Sequence, residues 1–222
     1  MTGIQALERK TADLRMKPVK IQRQEFEYIR HGTQTLIASF DVASGQIIQP
    51  SVGDTRTELD YLIHVQKTIE IDPNAIKWHL VMDCLNTHRS ESLVRYIAEV
   101  EGLNIDLGVK GESGILESMA TRTKFLTDST HKIVFHFTPK HCSWLNQIEI
   151  WFGILMRKLL KRGNFKDQAD LKTQILDFVK YFNCTMAKPF KWTYKGKALA
   201  AWMVLAFMPH CTSTESSPQP TL

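Results

Sequence analysis

The sequence predicts an α/β fold, a mixed β-sheet flanked by helices. Three observations carry that expectation. Residues 25–52 alternate and are rich in β-formers, two short runs at 78–82 and 133–137 are apolar almost throughout, and four longer segments place apolar residues near helical spacing. Strands, a helix, a strand, a helix, a strand and then helices is the order of a mixed sheet covered by helices.

Taken in order, Glu25-Phe26-Glu27-Tyr28-Ile29 and Thr35-Leu36-Ile37-Ala38-Ser39-Phe40-Asp41-Val42 read as strands of an antiparallel meander. The turn Ala43-Ser44-Gly45 leads into a third strand, Gln46-Ile47-Ile48-Gln49. Residues 57–71 follow with Leu59, Leu62, Ile63, Val65, Gln66 and Ile69 near helical spacing, and Asp72-Pro73-Asn74 ends the helix. Trp78-His79-Leu80-Val81-Met82 reads as a strand apolar on both faces, as buried parallel strands are. Residues 90–101 form the helix behind it, with Leu93, Val94, Ile97 and Val100 on one side. The stretch 102–132 is weakly patterned and reads as an irregular insert with a short helix near 115–119. Ile133-Val134-Phe135-His136-Phe137 is another strand, closed by Thr138-Pro139. Helices are predicted over 144–160 and, after the turn at Gly163-Asn164, over 167–182.

A chain of 222 residues can bury one substantial core. Hydrophobic residues at 43% and charged residues at 23% exclude wholesale disorder, leaving only the polar end of the chain to be disordered. The four cysteines, Cys84, Cys142, Cys184 and Cys211, form no CxxC pair, so neither a zinc knuckle nor a disulfide scaffold is supported. With no secretory leader, a reducing cytoplasm is expected. The apolar run 198–208 is too short for the roughly 20 residues of a membrane-spanning helix, so no membrane partner is expected. The net charge of +5 permits a polyanionic partner without requiring one.

Two carboxylates stand in costly places. Asp83 follows the apolar strand at 78–82, and in open α/β sheets ligands bind beyond the carboxyl ends of strands. Glu149 lies in the nearly all-apolar segment Leu145-Asn146-Gln147-Ile148-Glu149-Ile150-Trp151-Phe152. Acids converging from a strand end and a helix suit hard divalent cations, which take oxygen ligands and phosphate. Asp83 could instead start a loop or cap the next helix, and Glu149 could be a rim residue paired with Arg157 or Lys158. Asn86 and His88 could orient carboxylates, water or phosphate from the same loop. Asn146, three residues before Glu149, is expected to share its helix face, and Gly153 to leave room beside the acid.

The blocks His79-Leu80-Val81-Met82-Asp83-Cys84-Leu85-Asn86-Thr87-His88 and Phe137-Thr138-Pro139-Lys140-His141-Cys142-Ser143-Trp144-Leu145-Asn146-Gln147-Ile148-Glu149 closely resemble bacterial insertion-sequence transposases of the mariner-like superfamily. So does Lys188-Pro189-Phe190-Lys191-Trp192-Thr193-Tyr194-Lys195-Gly196. The resemblance implies an RNase H-like DDE catalytic domain over 1–197, binding two Mg²⁺ or Mn²⁺ ions for DNA cleavage and strand transfer. Asp83 matches the second acid of the triad and Glu149 the third, both as metal ligands. Asn86, His88 and Asn146 match the supporting polar residues.

The first acid is expected at the end of the first, central strand, immediately before the stretch beginning at Thr2. On this reading that strand and the amino-terminal helix-turn-helix region are missing, and the fragment is inactive. Asp41 is a poor substitute, since it ends a strand after the hairpin. Residues 198–222 form an atypical tail, apolar and then disordered. The alternative is a non-catalytic remnant that binds DNA or pairs with intact transposase. The resemblance also implies double-stranded DNA as partner, a homodimer, and a place in the bacterial cytoplasm at the nucleoid. Arg157, Lys158, Lys161 and Arg162, with Lys188, Lys191, Trp192 and Lys195, are the expected DNA contacts, the last group interleaving cations with aromatic rings.

Overall fold

The computed structural model describes residues 3–11, 16, 18–21 and 27–191. The predicted α/β architecture is present, with its strands divided between two sheets flanked by helices.

The first sheet is antiparallel, in the order β1 (Ile4–Arg9), β2 (Tyr28–Asp41), β3 (Gln46–Gly53). The separate strands expected at 25–29 and 35–42 are corrected, because 28–41 is one strand; residues 25 and 26 lie outside the described residues. Its polar middle, Arg30 to Gln34, breaks the apolar alternation, yet the backbone continues because each half has its own partner. Tyr28 to Gln34 pair with β1, and Thr35 to Asp41 with β3. Successive β2 side chains point to opposite faces, so Leu36 enters one core while Ile37 packs against the other. The outer strand β3 is tied down by Asn183, whose side chain accepts from the Ile47 amide (2.9 Å) and donates to its carbonyl (2.8 Å). The second sheet pairs β4 (Trp78–Met82) with β5 (Ile133–Phe137) in parallel. No ladder joins the two sheets among the described residues.

The first core lies between the antiparallel sheet and α4 (Ile148–Leu155) with α5 (Gln168–Thr185), where Trp151, Leu155, Leu171 and Ile175 are fully buried. The second gathers α1 (Glu58–Ile69), α2 (Glu91–Val100), α3 (Met119–Leu126) and the parallel pair around Leu93, Ile97, Ile133 and Phe135. Helix starts follow capping chemistry. Thr57 and Asp60 form a capping box for α1, Ser90 caps α2, and Asp167 caps α5.

Three expectations about faces need correction. On α1 the buried stripe is Tyr61, His64, Val65 and Thr68, whereas Leu59 and Ile63 are exposed. Polar His64 and Thr68 are accommodated because Ser39 bonds to both. Val100 of α2 is exposed rather than core-facing. Strand β4 is not buried on both faces, since His79 and Val81 are exposed, and only β5 pairs with it among the described residues.

The segment 102–132 is more ordered than its pattern predicts. A 3₁₀ turn at Gly114–Leu116 precedes α3, which a capping box of Ser118 and Thr121 initiates, and Leu116 and Leu126 are fully buried. The short helix expected near 115–119 therefore becomes a 3₁₀ turn followed by a helix over 119–126. Gly108, at φ 80°, lets the backbone pass against Ser113 where a Cβ would collide.

Among the described residues no helix is long and apolar enough to cross a membrane. The candidate contacts Trp192 and Lys195, and the tail 198–222, lie outside the described residues.

Candidate functional site

The parallel ladder ends at Met82 and Phe137, so the chains leaving β4 and β5 emerge side by side. They are stitched together: the Thr138 amide donates to the Met82 carbonyl (2.8 Å), and the Cys84 thiol donates to the Thr138 carbonyl (3.0 Å). Between them lies a cavity of about 280 Å³ lined by residues including Asp83, Cys84, Thr138, Lys140, His141 and Ser143. His141 holds a left-handed backbone conformation, φ 65°, of the kind found at ligand-binding loops. Thr138 Oγ1 is buried without a partner. Lys140, His141 and Ser143 went unread from sequence as cavity residues. Their signal was adjacency to the block carrying Asn146 and Glu149.

Asp83 is half-buried and tightly held. His88 Nδ1 lies 2.8 Å from Oδ1, and the Leu85 amide donates to the same oxygen (3.2 Å). His88 Nδ1 also lies 3.2 Å from the Asp83 carbonyl. Both partners are acceptors, so the proton sits on Nδ1. The His88 ring packs on Tyr61, with centroids 4.3 Å apart. The His88 hydrogen bond outweighs partial burial and holds the Asp83 carboxyl below its ordinary value. Asp83 caps no helix, since Ser90 caps α2 and Leu85 precedes the 3₁₀ turn Asn86–Arg89. Asn86 is exposed and lines a second cavity, not the one containing Asp83.

The predicted helix 144–160 is corrected to three pieces: a 3₁₀ turn at Ser143–Leu145, α4, and a π turn at Met156–Leu160. Asn146 therefore does not share a continuous helix with Glu149. Its backbone is extended (φ −79°, ψ 116°), and its side-chain oxygen accepts from the Ile148 amide (3.4 Å). Such a local bond competes with helix and sets the start of α4. Asn146 Nδ2 also makes a long contact, 3.5 Å, to the Val81 carbonyl in β4. Thus the segment entering α4 reaches the strand that Asp83 follows.

Glu149 sits in the first turn of α4, exposed and outside the lining of the 280 Å³ cavity. It has no ion pair with Arg157 or Lys158 among the described residues. The room expected over Gly153 is taken by the Arg157 guanidinium, which a Cβ there would meet at 3.3 Å. Arg157, Lys158, Lys161 and Arg162 are all exposed on and just beyond the π turn. Lys188 and Lys191 are exposed too, but Phe190 stacks on Phe40 at 4.9 Å and is no free platform for a base. Asp41 is committed to its turn, accepting from the Ala43 and Ser44 amides.

A family model for DDE superfamily endonucleases matches residues 3–172. The chain belongs to this family. Membership in the DDE endonucleases implies a DNA substrate and transposase-type DNA cleavage, and enzymes of this superfamily generally use divalent metal ions. No curated protein and no solved structure showed significant similarity to the chain.

For a DDE endonuclease the donor chemistry here fits a hard cation in kind. Mg²⁺ is commonly held by one or two carboxylates plus water and phosphate, and Asp83 faces a cavity that also holds an unpartnered hydroxyl and a lysine. Among the described residues no group of three or more His, Cys, Asp or Glu side chains is placed so that it could hold a metal ion.

Proposed function

We propose that this DDE endonuclease domain is the catalytic domain of a bacterial insertion-sequence transposase of the mariner-like superfamily, acting on double-stranded DNA. Asp83 and Glu149 are its metal-holding acids. What supports this reading is the family match over residues 3–172, together with the 3.5 Å contact from Asn146, just before α4, to the Val81 carbonyl in β4, the strand that Asp83 follows.

In this reading each residue has a definable task. His88 fixes the Asp83 carboxylate, and Asn146 fixes the entry of α4. Lys140, in the cavity with Asp83, suits a phosphate oxygen. Arg157, Lys158, Lys161 and Arg162, with Lys188 and Lys191, supply exposed positive charge for neighbouring phosphates. A bound Mg²⁺ or Mn²⁺ would supply activation of the attacking oxygen and stabilisation of the leaving one.

The test is cleavage of duplexes carrying the element's ends in Mg²⁺ or Mn²⁺. Metal-dependent nicking that Glu149→Gln abolishes while DNA binding persists is the expected result. Equal cutting by Glu149→Gln would remove the glutamate from the mechanism.

A second reading is favoured because no group of three or more His, Cys, Asp or Glu side chains that could hold a metal ion is found among the described residues. On that reading the chain is a non-catalytic remnant that binds DNA or pairs with intact transposase. Tight binding of end duplexes by the unaltered chain, with no cutting in either metal, decides for it.

A further inference from the structure

The loop leaving β4 separates two cavities of different character. The first contains Asp83, and the second, about 210 Å³, is lined by residues including Glu58, Asn86, Arg89, Lys110, Met119 and Arg122. Three cationic side chains there face one carboxylate. That carboxylate is already occupied, because Glu58 accepts from the Ser92 amide (3.0 Å) and hydroxyl (2.6 Å). Burial alone would raise the Glu58 carboxyl, yet those bonds with Lys110 and Arg122 hold it below its ordinary value.

The cations differ in how they are engaged. Arg89 is fixed by donating to the Cys84 carbonyl (2.6 Å) and by lying 5.6 Å from the Phe137 ring centre. Lys110 makes a loose 3.7 Å pair with Glu91, with about half of its side chain exposed. Arg122 Nε and Arg89 Nε are buried without hydrogen-bond partners. A buried donor left unpaired costs free energy, and two on guanidinium groups lining one positively charged cavity are explained by an acceptor that enters it. Guanidinium and ammonium groups together match a tetrahedral oxyanion.

We infer that the cavity formed by Arg89, Lys110 and Arg122 is a phosphate subsite for the DNA backbone, seating a phosphate near the one presented to Asp83. The inference rests on the DNA-directed reading above and adds where the strand runs: from the Asp83 cavity across the 83–90 loop toward the segment carrying Lys110. Asn86, exposed at that cavity, then contacts the strand rather than the carboxylates. The contact is to the backbone, so it carries no sequence preference.

The test measures binding of the full chain to duplex DNA in chelator, over a range of salt, for Lys110→Gln, Arg122→Gln and Lys110→Arg. Each neutralised contact lowers the dependence of log K on log[salt] by about one unit and weakens binding about tenfold at 0.1 M salt, equally for unrelated sequences. Lys110→Arg keeps the slope. Lys110 is at the surface, so Lys110→Gln leaves the melting temperature unchanged and keeps the test valid if Arg122→Gln folds poorly. Unchanged slopes in both neutral variants overturn the subsite. So does a melting shift with inorganic phosphate that both variants abolish while the DNA slope stays the same, since the cavity would then take only a free anion. Chelator excludes cutting, so the slope is read independently of catalysis, and failure of the Glu149→Gln cleavage test would leave this result standing.

Discussion

His64 is the residue whose setting contradicts its sequence context most. It lies outside the apolar stripe predicted for 57–71, yet it is buried, with Nε2 2.9 Å from the Ser39 hydroxyl and Nδ1 3.1 Å from that of Ser51. Burial, aided by the charge of His88, pushes its pKa down to about 4. The folded state thus refuses a proton that the unfolded chain takes up near pH 6.5. Stability from this group is complete above pH 6.5 and is lost as pH falls toward 4, by about 3 kcal/mol in all. Urea midpoints measured across that window are expected to drop in the unaltered protein and to flatten in His64→Gln. Parallel slopes would show that His64 does not set the acid limit. Asp83 was legible from sequence because a charge ending an apolar strand is conspicuous. The Lys110 and Arg122 cavity was not, because its members come from separate segments that only the fold brings together.

At the scale of elements, periodicity made α1, α2 and α5 readable, and short apolar runs did the same for the strands β4 and β5. The errors have local causes. β2 was split because its polar middle pairs with β1 while its apolar half pairs with β3. α3 is expected too early, near 115–119, because its core contribution is carried by few residues, although Ser118 and Thr121 announce its start. The helix expected from 144 begins at Ile148 because Asn146 bonds the Ile148 amide and reaches to β4. Asn146→Ala removes both ties and is expected to lower stability by about 1 kcal/mol, as losing a hydrogen-bonding side chain does. Denaturant melts check this, and a loss within error would mean that α4 is positioned by its buried face alone.

Across the whole molecule, the antiparallel sheet shares its two faces between two cores, so β2 links the α4–α5 layer to the layer that carries β4. Asn146, just before the helix that carries Glu149, reaches the Val81 carbonyl of β4, the strand that Asp83 follows. The sequence blocks pointed to a DDE-type catalytic domain, and the family match over residues 3–172 shows that coarser family. What those blocks left out was the support: the His88 bond to Asp83, the Asn146 mooring and the stacking of Phe190 on Phe40. The central claim is that Asp83 and Glu149 together hold a divalent ion. Its most direct test is Mn²⁺ titration of the full chain followed by electron paramagnetic resonance, which reads binding whether or not DNA is cut. Saturable binding by the unaltered protein, lost in both Asp83→Asn and Glu149→Gln, is the predicted result. Mn²⁺ binding left intact in both variants would contradict it.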